Sequence, residues 1–226
     1  MAVNVDSLPV QDVLVGAMLL ASFFSVGRKR LPTFLRYYAV SSACLAGVIA
    51  ASAIRTGHPA EYAGAILTLI VKVTAIPAGL LVIARRSGEL RLHPITRPVL
   101  SYALALVALV AAYLMSRRVP LRVAAQAGAG LAQVWGLLFV ALALILIGFL
   151  ILIIRRDLYS QIIGFLTLEN GISAFAVVAI GGAPFLMEMG IFAVIASGVL
   201  LMAILSQQVH EIYRSHDTAV LRDLTD

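Results

Sequence analysis

The sequence predicts an all-α, polytopic integral membrane protein of about seven transmembrane helices, with the N-terminus outside and the C-terminus inside. Three observations predict it. Of 226 residues, 62% are hydrophobic and only 12% are charged, and the mean hydropathy is +1.01. An ordinary soluble domain carries about 25% charged residues, so a soluble fold of this size would lack the charge to cover its surface. The apolar residues also run continuously for about 20 residues at a time, the length a helix needs to cross the hydrocarbon. Membrane β-barrels show alternating segments about half that long. The same composition excludes a disordered chain, a disulfide-rich secreted domain and a basic nucleic-acid binder. The net charge of +6 then records loop orientation in a bilayer rather than affinity for nucleic acid.

Seven runs qualify as spans: Val10–Val26, Phe34–Ile54, Tyr62–Ala84, Val99–Met115, Leu131–Ile154, Ser160–Ile180 and Phe185–Leu205. At the start of the first, Met1–Asp12 contains Asp6 and Asp12 but no Lys or Arg. That is the opposite of a signal peptide's basic start, so this run is expected to stay as a span. The stretch AAQAGAGLAQ before the fifth run reads as an interfacial approach rather than embedded helix. The residues after Gln207 read as a cytoplasmic tail. Three parts follow: a four-helix part at 1–122, a three-helix module at 123–208 and a tail at 209–226.

The loops give the orientation. With the N-terminus outside, the inner segments hold Arg28, Lys29, Arg30, Arg36, Arg85, Arg86, Arg91, Arg97, Arg155, Arg156, Arg214 and Arg222. The outer segments hold only Arg55, Arg117, Arg118 and Arg122. Twelve against four agrees with the excess of basic residues on cytoplasmic loops. All seven tyrosines and Trp135 fall at or near span ends, as expected of an aromatic belt.

Conventional sites are missing from the sequence. Cys44 is the lone cysteine and lies in an apolar run, so it reads as a small buried hydrophobe. His58, His93, His210 and His216 lack metal-ligand spacing and read as surface residues. No nucleophile elbow, Walker loop or dinucleotide fingerprint is present. The expectation is a protein without a metal site, cofactor or active site of its own.

Three charges break the pattern. Of 28 charged side chains, 25 lie in loops, in tails or at run edges; Lys72, Glu169 and Glu188 lie inside apolar runs, where a charge costs at least a few kcal/mol and is usually functional. Lys72, in LTLIVKVTAIP, is too deep to snorkel easily. Fifteen of the seventeen basic residues are Arg, and Lys72 is one of two lysines. A buried lysine can release a proton where arginine does not. Thr68, four residues earlier, shares its face, and Pro77 frees a backbone carbonyl near Val73. Glu169, in IIGFLTLENGISAF, lies at comparable depth, with Asn170 adjacent and Ser173 four residues on. Lys72 and Glu169 are therefore expected to be partners, directly or through water. They read either as a proton relay or as a static pair that fixes helix register. Glu188 sits in the first turn of the seventh run, where it would also complement the helix dipole.

The motifs LTLIVKVTAIP (Leu67–Pro77), QIIGFLTLENGISAF (Gln161–Phe175), APFLMEMGIF (Ala183–Phe192) and SHDTAVLRDL (Ser215–Leu224) resemble hydrogenase-4 component E, a membrane subunit of group 4 energy-converting hydrogenases of the formate hydrogenlyase type. The last three runs further resemble the K subunit of complex I, in which an arginine pair, here Arg155 and Arg156, precedes a helix with a buried glutamate, here Glu169. The K subunit's two glutamates lie much further apart than Glu169 and Glu188, so Glu188 is not equated with the second. Many component E sequences also carry an Asp where this chain has Val194.

The resemblance implies a subunit of a bacterial or archaeal cytoplasmic membrane. It would sit beside antiporter-like membrane subunits and contribute Lys72, Glu169 and Glu188 to a proton or cation path, supported by Thr68, Asn170 and Ser173. Nickel–iron and iron–sulfur centres would belong to peripheral hydrogenase subunits. The alternatives are a structural adaptor that relays no protons, a subunit of a non-redox cation or bicarbonate transport complex, and a stand-alone transporter.

Overall fold

The computed structural model describes residues 8–57, 59–87, 90–92, 96–119 and 131–180. The seventh apolar run, Glu188, the four histidines and the tail lie outside them. The described residues belong to one compact unit, Met1–Glu188. The described elements are all helical: α1 (Leu8–Ser25), α2 (Leu31–Thr56), α3 (Pro59–Thr68), a π-helical segment (Leu69–Ala75), α4 (Ile76–Ser87), α5 (Pro98–Ser116), α6 (Leu131–Ile154) and α7 (Leu158–Ile180). Among the described residues, five segments are long and apolar enough to cross a membrane, with α3, the π segment and α4 forming one of them, Pro59–Arg86. The apolar part of α1, Val10–Ser25, is shorter.

The helix ends follow local chemistry. Proline occupies the first turn of α2 and α5, where its fixed φ suits the helix and its missing N–H is no loss. Gly57 ends α2 with φ 70°, a left-handed cap that a side chain would strain. Its N–H donates to Ala53 O at 2.9 Å. Asp157 starts α7 by accepting the Ser160 N–H at 2.9 Å, which satisfies one orphan donor of the first turn.

The third span contains the one π-helical segment among the described residues. The Ile76 N–H bonds to Val71 O, five residues back. Pro77 explains it in part: a proline ring clashes with the carbonyl four residues earlier, here Val73, and offers no N–H. A widened turn relieves both problems. The sequence reading foresaw the freed carbonyl but not the change of helical register.

Packing centres on α2, α6 and α7. In the apolar window of α7, 67% of residues are buried, against 17% for the third span and 22% for α5. The latter two therefore present most of their surface outward. The core joins Met18 of α1, Leu45 and Ile49 of α2, Ala141 and Leu144 of α6, and Ala174 of α7. Cys44 is buried beside them, as expected. The helices α6 and α7 approach closely because glycines line their contact. A Cβ on Gly148 would lie 2.6 Å from the Leu168 backbone nitrogen, and one on Gly171 would lie 2.7 Å from the Ile145 nitrogen. Without a hydrophobic drive between helices in lipid, such close backbone packing supplies much of the attraction.

One end of the bundle is tied together by its loops. Leu31 donates to Leu90 O at 3.1 Å and Leu92 to Lys29 O at 2.9 Å. From the end of α6, Arg155 Nη2 donates to Val26 O at 2.8 Å and to Arg28 O at 2.6 Å. Its guanidinium lies 5.3 Å from the Phe34 ring centre. Burial pulls this guanidinium below its ordinary pKa, and the charges of Asp157 and Tyr102 oppose that pull. Three of the basic clusters, at Arg28, Arg91 and Arg155, thus share one side of the protein.

Arg117, just past α5, lies over both Tyr113 and Trp135, an interfacial arrangement. Tyr38 and Tyr159 instead face inward, at 2% and 7% exposure.

Candidate functional site

Lys72 is the fourteenth residue of the 28-residue third span, and Glu169 the twelfth of the 22-residue span on α7. Both lie at the middle of their helices. Their side chains form a direct ion pair, Nζ to Oε2, with both side chains almost wholly shielded from solvent. A charge pair so placed costs heavily in desolvation and persists only with good geometry and additional hydrogen bonds.

The additional bonds are present. Lys72 Nζ also donates to Asn170 Oδ1 at 3.1 Å. Asn170 Nδ2 donates in turn to Ser42 Oγ on α2 at 2.8 Å. The orientation of the amide is fixed by chemistry, because an ammonium can only donate and must meet the amide oxygen. Ser173 Oγ donates to Glu169 Oε1 at 3.0 Å, as its spacing of four residues predicted. Five side chains on three spans therefore form one buried network.

The sequence-predicted residues fall as follows. Lys72, Glu169, Asn170 and Ser173 come together directly. Thr68 is fully buried one turn before Lys72, at the point where the π segment begins. Glu188 lies outside the described residues. Among the described residues there is no group of three or more His, Cys, Asp or Glu that could hold a metal ion.

Sequence reasoning missed Ser42, which completes the network from α2. A signal existed: Ser41 and Ser42 interrupt an apolar run, and both are buried. Tyr38, one turn earlier on the same face as Ser42, is buried as well. A second polar cluster was also missed. Near the far end of α2, Arg55 donates to Gln11 of α1 and interacts electrostatically with Glu61 of α3. Glu61 and Gln11 are 6% and 5% exposed. Glu61 read as an unremarked charge at a span edge.

Comparison with known proteins fits this architecture. Residues 136–226 match the family model for NADH-ubiquinone/plastoquinone oxidoreductase chain 4L. Along almost the whole chain, the sequence is 27% identical to the uncharacterized protein Rv0085 of Mycobacterium tuberculosis, over 217 residues covering 95% of this chain and 96% of the relative. It is 26% identical to hydrogenase-4 component E of Escherichia coli strain K12, over 214 residues covering 94% of each. The same protein from Shigella flexneri matches equally. No solved structure matches the chain. Its apolar helices and these bacterial relatives make it a multi-pass protein of the cytoplasmic membrane. The chain is homologous to hydrogenase-4 component E over almost its whole length and, from residue 136 onward, to the chain 4L family.

Proposed function

We propose that this protein is a non-catalytic membrane subunit of a complex I-like energy-converting hydrogenase, and that Lys72 and Glu169 carry a proton, or another cation, step across its middle. The observation that carries the reading is the buried Lys72–Glu169 pair at mid-span. In the paired state the lysine is protonated and the carboxylate ionised. Protonating Glu169 would leave the lysine charge unbalanced in an apolar span, where an uncompensated charge is costly. The two sites are then driven to exchange protons together. Asn170 and Ser173 hold the two charged groups in register, and the π turn places Lys72 on a segment able to adjust.

The similarity to hydrogenase-4 component E supports membership of a multisubunit assembly; on this reading the neighbours are antiporter-like subunits, and nickel–iron and iron–sulfur centres are assigned to peripheral partners. Seven spans with the N-terminus outside, arranged as parts 1–122, 123–208 and 209–226, fit the basic loops that share one side and the chain 4L match from residue 136. Glu188 is assigned to the path as a third ionisable residue, on the resemblance to component E rather than on its depth.

The test is Glu169→Gln in the intact complex, reconstituted or in inverted membrane vesicles. The relay reading expects proton translocation to fall while the subunits still co-purify. Unchanged pumping would overturn it. A second reading, a structural adaptor, is favoured by the same network, since it braces three spans through satisfied hydrogen bonds. On that reading either single charge removal prevents assembly, and exchanging the two charges restores it.

A further inference from the structure

The buried face of the first half of the third span is unusual for a membrane helix. Between Pro59 and Ala75 the buried residues are Glu61, Gly64, Ala65, Thr68 and Lys72. They recur at helical spacing, so they form one stripe along one face. A helix normally buries its largest apolar side chains. Here the large apolar residues, including Ile66, Leu69 and Ile70, are exposed, and the inward stripe holds two ionisable groups, a hydroxyl and two residues with little or no side chain. At 1.5 Å per residue, the stripe runs about 16 Å from Glu61 to Lys72.

Glu61 gives the stripe a chemical end. It is 6% exposed, and its Oε2 is buried without a hydrogen-bond partner. Buried polar atoms are nearly always satisfied by protein or by ordered water, so this oxygen points to water. Arg55, itself held by Gln11, interacts with Glu61 electrostatically and compensates its charge. Gly64, buried between Glu61 and Thr68, carries no side chain, and Thr68 has its hydroxyl one turn short of Lys72.

We propose that this stripe is a water-bearing half-channel that delivers protons from the Glu61 side of the membrane to Lys72, with Glu61 as the protonatable group at its mouth. The proposal rests on the reading of Lys72 and Glu169 as a relay and adds its connection to one aqueous phase. Glu61 takes a proton from water at the mouth and returns it to water along the stripe. It ends as the carboxylate it began as, and no other reactant is consumed.

Two experiments in the intact, membrane-embedded complex test it. The first places a cysteine in the stripe, Gly64→Cys in a Cys44→Ala background, and treats sealed vesicles of each orientation with 2-sulfonatoethyl methanethiosulfonate. A half-channel expects reaction from the Glu61 side alone. Absence of reaction, when a cysteine at exposed Ala60 does react, overturns it. The second compares Glu61→Gln with Glu61→Asp in assembled complexes. The amide should lower the initial rate of proton translocation several-fold while aspartate retains most of it, and equal rates for Glu61→Gln and wild type overturn the assignment of Glu61. The two readings fail separately. Labelling at Gly64→Cys with normal pumping by Glu169→Gln removes the relay and leaves the water path. No labelling, with pumping lost in Glu169→Gln, removes the water path and leaves the relay.

Discussion

Asn170 hydrogen-bonds the Lys72 ammonium at 3.1 Å and directly follows the glutamate that neutralises it. Its amide also bonds Ser42 on α2, so one neutral side chain links the charge pair to a third span. Removing it would leave both a buried ammonium donor and a buried hydroxyl short of a partner. Asn170→Ala is expected to destabilise the protein by about 1–3 kcal/mol, read as a lower midpoint of thermal unfolding in detergent. Ser42→Ala should cost less, because it orphans only one amide hydrogen.

The ion pair makes a sharper prediction about pairs of changes. Lys72→Met alone leaves Glu169 charged and buried without its counter-ion, a loss of about 3–5 kcal/mol. Combining it with Glu169→Gln removes the stranded charge, so the double variant should be more stable than the single Lys72→Met protein. The measurement is the amount of folded subunit in membranes, with unfolding midpoints as the check. If the double variant is the worse of the two, the pair is not the electrostatic unit its geometry describes.

Much of this site was legible because a charge inside an apolar run has no ordinary explanation. Lys72 and Glu169 stood out, and helix spacing supplied Thr68 and Ser173. Glu61 did not stand out, because it falls at the edge of the third apolar run, where a charge needs no special explanation. Its burial depends on how α1, α2 and α3 meet, which no local pattern states. Arg155 was legible as a basic residue of a loop and as one of an arginine pair, but its burial against the turn between α1 and α2 was not. The six runs among the described residues read well from apolar run length, with observed helix ends within a few residues. The π turn did not, since hydrogen-bond register is set by packing around Pro77.

The glycines of α6 divide into two kinds. Gly148 faces backbone atoms of Leu168 at 2.6–2.7 Å from a would-be Cβ, whereas Gly136 has nothing within 4 Å. Backbone cannot swing aside as a side chain can. Gly148→Ala should therefore push α6 and α7 apart at a cost of about 1–3 kcal/mol. Gly136→Ala should be neutral or stabilising by about 0.5–1 kcal/mol, through better helix propensity. Thermal unfolding of the two purified variants in one detergent checks the contrast.

Arg155 secures the turn between α1 and α2 from the end of α6. Arg155→Ala removes two charge-assisted hydrogen bonds, and a loss of about 3 kcal/mol is expected. Arg155→Lys should recover part of it, since an ammonium can reach one carbonyl but lacks the planar fork. Hydrogen exchange localises the effect: residues 26–30 should lose protection before the centre of α6 does.

The same long-range pairing bears on how the protein is made. Asn170 follows Lys72 by 98 residues, and Glu169 is its immediate neighbour. At about 5–20 residues per second, the lysine emerges from the ribosome roughly 5–20 s before its counter-ion. The third span must therefore reach the bilayer carrying a cation with no anion yet to meet it. The ion pair is a late-closing latch, shut only when α7 arrives, and until then the insertion machinery has to shelter Lys72.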